Sequence, residues 1–248
     1  MTTAALARSI CALGITLLLG ACAGGSANAT AQGSAAASSS SSSISASATP
    51  GPWRPLIDDS MSAWRGYKEA GIPAGWRVEN GVMMKEKAIN DLVSKEEYAD
   101  FELEFDWKIG TGGNAGVFYR GTEEFAKIYY TAPEYQLLDD AVHRDGGNPL
   151  TSAGSDYALY PAPRGVVRPA EQWNSTRIVV HGAQVEHWLN GQKVVTYAFG
   201  SPDWEAKVKA SKFATWAKYG RIGRGHIGIQ GDHTGVLALR NMRIRTLQ

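Results

Sequence analysis

The chain has 248 residues, and its 25 lysines and arginines nearly balance its 24 aspartates and glutamates, for a formal net charge of +1. Since no block of basic residues accompanies this balance, we expect no nucleic-acid partner. The only cysteines, Cys11 and Cys22, lie near the N-terminus, which excludes a disulfide or a thiolate metal site in the rest of the chain.

Residues 1–21 are predicted to be a lipoprotein signal peptide. Arg8 supplies a positive charge, and Ile10 to Leu19 is an apolar stretch too short to span a membrane comfortably. The stretch ends in Leu-Gly-Ala-Cys, which resembles the lipobox of bacterial lipoproteins and implies cleavage before Cys22 and lipidation of its thiol. An ordinary secretory signal with an incidental cysteine is the alternative. Position 23, directly after this cysteine, is alanine and not the aspartate associated with inner-membrane retention. We therefore expect an exported protein anchored in the outer membrane, on its periplasmic or its cell-surface side.

Residues 22–52 are predicted to form a flexible tether, and residues 53–248 a single domain. The tether consists mainly of Ala, Ser, Gly and Thr, with an unbroken run of serines, and it cannot bury enough apolar surface to offset its ordering entropy. The remaining residues are sufficient for one sizeable domain with its own hydrophobic core.

The periodicity of the domain is mostly that of β-strands. Phe101 to Ile109 alternates apolar and polar residues without a slip, as a half-buried strand does. Asn190-Gly191 is a strong signal for a hairpin turn. One helix is predicted over Asp203 to Ala217. The segment from Asp145 to Arg168 is rich in Gly, Pro and Tyr, and it is predicted to be a long loop that lies over the functional site. The other predicted strands are Asn114–Arg120, Thr176–His181, Gln184–Leu189, Lys193–Phe199, Gly225–Gln230 and Val236–Thr246. Short strands at this spacing favour an antiparallel all-β sandwich.

Two polar side chains share one face of a further predicted strand. Glu134 and Gln136 are two residues apart, so strand alternation directs both to the same side of a sheet. Polar groups on one face need hydrogen-bond partners, and the hydroxyl groups of a sugar supply many. Asp139 and His143 follow where this strand should end, so a turn could bring either into the same pocket for proton transfer or metal binding. A solvated turn is the alternative for Asp139.

The predicted strand that begins at Asn114 adds polar groups to this face. Alternation places Asn114, Gly116 and Arg120 on one side, and the glycine leaves room for a ligand to approach the backbone. Arg120 offers a planar fork of donors for a hydroxyl or a carboxylate, or it pairs with Glu134 and neutralises it. The two roles of Arg120 are compatible.

Further candidates for substrate binding lie later in the chain. Gln230 has the parity opposite to the isoleucine face of its strand, so it should face away from the core, and His233 follows in a tight segment where it could be only a turn residue. Trp173 could stack on a sugar ring, although aromatic residues of a sandwich are more often core. Asn190, in the predicted hairpin turn, could orient hydroxyl groups.

Taken together, these segments resemble the 3-keto-disaccharide hydrolase family over nearly all of residues 53–248. One departure is Ala115, which stands where serine is common in the family. The resemblance implies a concanavalin A-like jelly-roll sandwich in bacterial secreted proteins or lipoproteins that act on 3-oxidised glycosides. The ordered motifs are Gly112–Val117 with Arg120, Glu134–Gln136 with Asp139, Glu171–Asn174, His187–Gly191, Ser211–Phe213, Gly228–His233 and Leu239–Arg245.

The implied chemistry begins with a ketone at C3, which makes the C2 proton acidic so that a base can remove it and the C1 aglycone can leave. Glu134, Asp139 or His143 is then expected to transfer protons. A divalent cation held by carboxylate and histidine atoms could polarise the ketone instead. The side chains expected to orient hydroxyl groups or polarise the ketone are Arg120, Gln136, Asn190 and Gln230.

Two rival hypotheses remain open. The same sandwich hosts lectins, so the domain could be a glycan-binding module without catalytic activity. A conventional glycosidase is the other rival, but it needs two carboxylates across the anomeric carbon. The sequence offers no clear second carboxylate facing Glu134, and this argues against ordinary glycoside hydrolysis.

Overall fold

The computed structural model of the protein describes residues 50–248. The predicted signal peptide, the lipidation site Cys22 and nearly all of the predicted tether lie outside these residues, so these three stay predictions. Within residues 50–248, no helix combines the length and the apolar character that are needed to cross a membrane.

Thirteen strands in this part of the chain form two antiparallel sheets. In chain order they are β1 (Arg54–Pro55), β2 (Trp64–Gly66), β3 (Arg77–Glu79), β4 (Val82–Lys85), β5 (Leu92–Tyr98), β6 (Phe101–Ile109), β7 (Asn114–Gly121), β8 (Glu134–Leu138), β9 (Asn174–His181), β10 (Gln184–Leu189), β11 (Gln192–Ala198), β12 (Gly225–Ile229) and β13 (Leu237–Thr246). The eight-stranded sheet has the order β11-β10-β9-β6-β13-β4-β3, with β1 paired to β13. The five-stranded sheet has the order β2-β5-β12-β7-β8.

The main hydrophobic core lies between the two sheets. Phe101, Phe105 and Trp107 of β6 are buried there, and Tyr119 and Tyr135 enter it from the five-stranded sheet. The prediction of an all-β antiparallel sandwich of the concanavalin A-like jelly-roll type is confirmed. Strand β6 has the predicted ends because its alternation is unbroken, which fixes the residues that face the core.

Five strands lie before Phe101, where none was predicted from the sequence. Four of them, β1 to β4, are two to four residues long, which is too short for alternation to be legible. Strand β5 is longer, but it carries three consecutive buried residues followed by three exposed ones. Its pairing with β12 contains a register shift, and this irregularity disrupts the alternation of its side chains.

The helix is shorter than predicted. Helix α1 spans Pro202–Ala210, with Ser201 as its N-cap and the proline in its first turn. It stops because Ser211 leaves the helical conformation, donates to the carbonyl of Val208 (2.8 Å) and accepts the N–H of Phe213 (3.1 Å). The residues from 212 onward therefore form turns instead of continuing the helix, and these turns reach the functional site.

Candidate active site

A cavity of about 460 Å³ opens on the outer face of the five-stranded sheet. Its floor carries Asn114 from β7, Glu134 and Gln136 from β8, and Gln230 immediately after β12. These three strands are adjacent in the order β12-β7-β8, and Tyr135, between the two polar residues of β8, points into the core. The alternation inferred from the sequence thus holds for β8, and four predicted site residues meet on one surface.

Gly116 makes room for the side chain of Glu134. It pairs in register with Gln136, and Glu134 reaches across β7 above it. A Cβ atom at position 116 would lie 2.1 Å from Oε1 of Glu134 and 2.7 Å from its Cγ. The expectation that this glycine admits a ligand to the backbone is therefore wrong, because the catalytic candidate itself occupies that space.

The carboxyl group of Glu134 is held in a poorly hydrated position. Solvent reaches it only through the cavity, and burial raises its pKa from 4.5 to about 8. The ammonium group of Lys212 opposes this effect and lowers the pKa of Glu134, while the carboxylates of Asp232 and Asp91 raise it further. A carboxyl group that changes its charge near neutral pH is suited to proton transfer.

Gln136 supports Glu134 from the neighbouring position on the floor. Its amide nitrogen, oriented to satisfy the surrounding acceptors, lies 3.2 Å from Oε1 of Glu134 and 3.1 Å from the carbonyl oxygen of Ala115. The other end of the amide contacts the side chain of Asn114 at 3.3 Å. The floor is thus a connected row of hydrogen-bonding groups, and Gln136 fixes the direction of the Glu134 carboxyl group.

The long loop reaches the cavity, as predicted, because part of it pairs with the free edge of β8. The N–H of Gly154 donates to the carbonyl of Gln136 (2.9 Å), and the N–H of Tyr157 donates to the carbonyl of Glu134 (3.0 Å). This pairing places the Tyr157 ring on the wall of the cavity. Asp145, earlier in the loop, also lines the cavity.

Four aromatic side chains, three of them after helix α1, form another wall of the cavity that was not predicted from the sequence. Phe213 and Tyr219 stack with ring centroids 4.0 Å apart, and Trp216 contacts Tyr129 in a stacked arrangement at 5.8 Å. All four rings line the cavity. Flat apolar rings beside a polar floor match the alternating C–H and hydroxyl surfaces of a sugar.

Lys212 carries its charge into the cavity from the same segment. The residue is exposed overall, yet its Nζ lies 4.2 Å from the centre of the Tyr157 ring and 5.1 Å from that of Phe213. Burial lowers the pKa of Lys212, and the carboxylate of Glu134 raises it. The two groups are therefore an acid–base pair coupled through their charges across the cavity.

Two histidines reach the cavity from the loops that follow β8 and β12. His143 accepts the N–H of Asp145 on Nδ1 (3.2 Å), so in the neutral ring the proton resides on Nε2. Burial lowers the pKa of His233. Asp145 and Asp232 line the same cavity as Glu134, so the structure adds carboxylates to the site that the sequence did not identify as partners of Glu134.

Comparison with known proteins shows which family the chain resembles. The family described as the 3-keto-alpha-glucoside-1,2-lyase-like domain matches residues 52–245. The chain belongs to this family. A curated relative, the 3-keto-disaccharide hydrolase of Bacteroides thetaiotaomicron, is 30% identical in an alignment 220 positions long, and the match covers 76% of this chain and 76% of the relative. The family predicted from the ordered motifs is thereby confirmed.

Two solved structures from Parabacteroides distasonis, both described as candidate glycosyl hydrolases, share the fold of this family member. One is 30% identical with a TM-score of 0.74, and the match covers 79% of this chain and 94% of that one. The other is 27% identical with a TM-score of 0.66, and the match covers 79% of this chain and all of that one.

Arg120 is one of four predicted site residues of this family member that do not line the cavity. Its φ of 52° lies in a bulge where the register between β7 and β12 shifts, and the bulge turns its side chain away from Asn114. The guanidinium donates to Asp100 (2.9 Å) and to the carbonyls of Ala99 (2.9 Å) and Gly182 (3.0 Å). The predicted pairing of Arg120 with Glu134 is wrong.

The other three residues also have structural partners elsewhere. Asp139 accepts the N–H groups of Gly112 (2.8 Å) and Ala141 (3.2 Å), and so shapes the turn that carries His143. Asn190 occupies the predicted hairpin turn, where its Nδ2 donates to the carbonyl of Val166 (2.8 Å). Trp173 lies on the eight-stranded sheet under Arg240, whose guanidinium is 4.1 Å from the ring centre.

The sequence leaves open whether a metal ion binds, and the structure shows how the side chains that could bind one are arranged. Among residues 50–248, no three or more His, Cys, Asp and Glu side chains converge at metal-ligand spacing. A larger groove of about 870 Å³ lies on the eight-stranded sheet, but its acidic residues Glu104 and Asp106 pair with Arg243 (2.6 Å) and Arg240 (3.2 Å). In the cavity above Glu134, by contrast, several ionisable side chains face open space.

Proposed function

We propose that this protein cleaves 3-keto-glycosides by removing the proton at C2 of the oxidised sugar. The observation that carries the proposal is Glu134, a carboxyl group on the floor of a sugar-sized cavity whose pKa of about 8 makes it a stronger base than an ordinary glutamate. Family membership and the named activity of the Bacteroides relative support the same substrate class.

The proposed reaction is an elimination followed by hydration. Glu134 takes the C2 proton while the C–H electron pair forms the C2–C3 enolate. The C3 ketone then re-forms, a C1–C2 double bond appears and the C1–O1 bond breaks, so that the aglycone leaves once its oxygen gains a proton. Water adds at C1 and a proton returns to C2, which makes the net reaction hydrolysis.

The other cavity residues supply what this sequence of steps requires. The Nε2 proton of His143 is available to the departing oxygen, because Nδ1 is occupied by the backbone of Asp145. The ammonium of Lys212 stabilises negative charge on Glu134 and on the enolate. The rings of Tyr157 and Trp216 hold the sugar plane above the floor.

A conventional glycosidase is the second candidate, and one observation favours it. Asp145 and Asp232 line the same cavity as Glu134, so two carboxyl groups could flank an unoxidised glycosidic bond. This reaction would leave the C2 proton in place.

Product analysis in deuterated water separates the two candidates. The purified protein is incubated with an alkyl 3-keto-glucoside and with the parent glucoside, with and without added divalent metal. We expect cleavage of the oxidised sugar only, with deuterium at C2 appearing faster than in a reaction without enzyme. Cleavage of the parent glucoside without deuterium uptake establishes the conventional mechanism, and an intact oxidised sugar beside folded protein rejects the proposal.

The pH dependence of Lys212 variants tests the acid–base pair. Because a base acts in its ionised form, kcat/KM of the wild type should rise with pH through a limb near 8. Lys212 lowers the pKa of Glu134, so Lys212→Met should move this limb to higher pH. Activity at pH 7 should then fall about tenfold for every whole pH step by which the limb moves. Lys212→Arg should retain most of the wild-type profile.

The matched control for this experiment is Lys207→Met on helix α1. That lysine pairs with Asp203 (3.7 Å) and does not line the cavity, so its replacement should leave the profile unchanged. A limb that stays in place or moves downward in Lys212→Met contradicts the pairing of Lys212 with Glu134.

A further inference from the structure

One wall of the cavity carries buried acceptor oxygens that no protein group satisfies. Gln230 is only 6% exposed, and its Oε1 is buried without a hydrogen-bond partner. Oδ1 of Asp232 is likewise buried without a partner, and so is Oδ2 of Asp91, a fully buried residue that does not line the cavity. Gln230 and Asp232 line the cavity beside Glu134. Buried acceptors without partners are costly, so this acceptor wall, formed by Gln230 and Asp232, is suited to donors that arrive with a ligand.

The acceptor wall is held firmly in place. The N–H of Gln230 donates to the carbonyl of Gly116 (2.9 Å), which ties the wall to the floor. Lys127 donates to Oδ2 of Asp232 (3.0 Å), and Asp91 accepts the N–H of Gly231 on Oδ1 (2.8 Å). In each carboxylate one oxygen is therefore anchored and the other is left free.

The charges around the wall favour a neutral donor over a cation. Lys127 faces Asp232 directly, and the buried ammonium of Lys85, which donates to the carbonyl of His233 (2.7 Å), is attracted by both Asp91 and Asp232. Two carboxylates thus face two ammonium groups. A further cation would meet a nearly balanced site, whereas a hydroxyl group supplies the missing donor without adding charge.

The position of His233 indicates where that hydroxyl group lies. Its Nε2 is 4.0 Å from Oδ1 of Asp232, too far for a direct hydrogen bond. An oxygen atom beside the line that joins the two atoms can lie about 2.8 Å from each, so that it donates to the carboxylate and accepts from the ring N–H. A sugar hydroxyl has both functions.

We propose that Asp232, with Gln230 and His233, determines sugar specificity by binding a hydroxyl group remote from the reacting C1 to C3 atoms, at C4 or C6. This inference rests on the proposed function and adds the part of the substrate that the site recognises. Asp232 is assigned as a binding residue that makes the same contact before and during the reaction.

Asp232→Asn, assayed in the full-length protein against alkyl 3-keto-glucoside and its 4-deoxy and 6-deoxy forms, tests the assignment. On the complete sugar we expect kcat/KM to fall about 10- to 100-fold, mainly through KM, because a hydrogen bond to a charged group is lost. Asp232 also raises the pKa of Glu134, so the rates are compared at a pH above the limb of that base. There, on the deoxy sugar that lacks the recognised hydroxyl, the variant and the wild type should agree within about threefold. If Asp232→Asn lowers kcat/KM equally on all three sugars, the assignment is overturned, and Asp232 has only a structural role or binds water.

Two controls keep this outcome separate from the proposed function. Asp106→Asn makes the same chemical change at an ion pair with Arg240 on the opposite sheet and should leave all three rates unchanged. If the wild type cleaves none of the oxidised sugars, the proposed function fails. Calorimetric binding of the unoxidised methyl glucoside and its deoxy forms then tests hydroxyl recognition by the acceptor wall independently of catalysis. If the wild type binds the complete sugar more tightly than a deoxy form and Asp232→Asn does not, the assignment of the acceptor wall is supported. If the wild type binds all of these sugars with equal affinity, the assignment is overturned.

Discussion

Glu134→Gln is expected to lower turnover of a 3-keto-glycoside about 10³-fold, because the amide keeps the shape of the side chain but cannot accept a proton. The same change should stabilise the protein. The carboxyl group has a pKa of 4.5 when unfolded and about 8 in the cavity, so the unfolded chain releases its proton first as the pH rises. Stability contributed by the neutral form is complete below pH 4.5 and is lost progressively up to about pH 8.

Glutamine does not titrate, so the gain in stability of Glu134→Gln over the wild type should grow between pH 4.5 and about pH 8. A pKa difference of this size corresponds to about 5 kcal/mol of stability, and solvent access from the cavity reduces the expected gain to on the order of 3 kcal/mol. Denaturant unfolding of both proteins at pH 4.5 and pH 8.5 measures the gain at the two ends of this pH range. Glu104→Gln, at an ion pair on the opposite sheet, is the matched control for activity. If Glu134→Gln is inactive but its stability relative to the wild type is the same at pH 8.5 as at pH 4.5, the burial of Glu134 is contradicted.

Gly116→Ala should inactivate the enzyme without touching an ionisable group. The new methyl group would lie 2.1 Å from Oε1 of Glu134, so the carboxyl group must move. The backbone at this position is ordinary β-strand, and the displaced side chain has open cavity beside it, so we expect a stability cost of only about 1 to 2 kcal/mol. A displacement of the base by about 1 Å costs on the order of 10²-fold in kcat.

The measurements are kcat, KM and the midpoint of denaturant unfolding. Gly223→Ala is the matched control, since a Cβ there meets nothing within 4 Å, and it should behave as the wild type does. Retained activity in Gly116→Ala would show that Glu134 does not act from the position described.

Alternation in the sequence was a reliable guide only where the strands are regular. Glu134 and Gln136 lie on one face because β8 has no bulge, and Gln230 faces outward for the same reason of parity. Arg120 departs from this rule because a left-handed residue in a bulge reverses the direction of its side chain. The register shift depends on how β7 and β12 pair, and that pairing is not visible in either strand alone.

The second wall of the cavity could not be predicted because it comes from turns. Lys212, Trp216 and Tyr219 follow a helix whose early end depends on a capping serine, and a longer helix would have directed them differently. Their placement is fixed by contacts distant in sequence, such as the N–H of Gly220 donating to the carbonyl of Thr131 (2.8 Å). The motif Ser211–Phe213 contributed to the resemblance, but nothing in its residues assigned Lys212 a role.

The sequence by itself determined the sandwich, the family and the polar floor, because strand parity and ordered motifs are local properties of the chain. Only the tertiary structure decided the partners of those residues. It turned Arg120, Asp139 and Asn190 to structural hydrogen bonds, and it surrounded Glu134 with Lys212 and a second set of carboxylates. The raised pKa of Glu134 is the clearest case, since it arises from the burial and the charges that distant segments bring to one point.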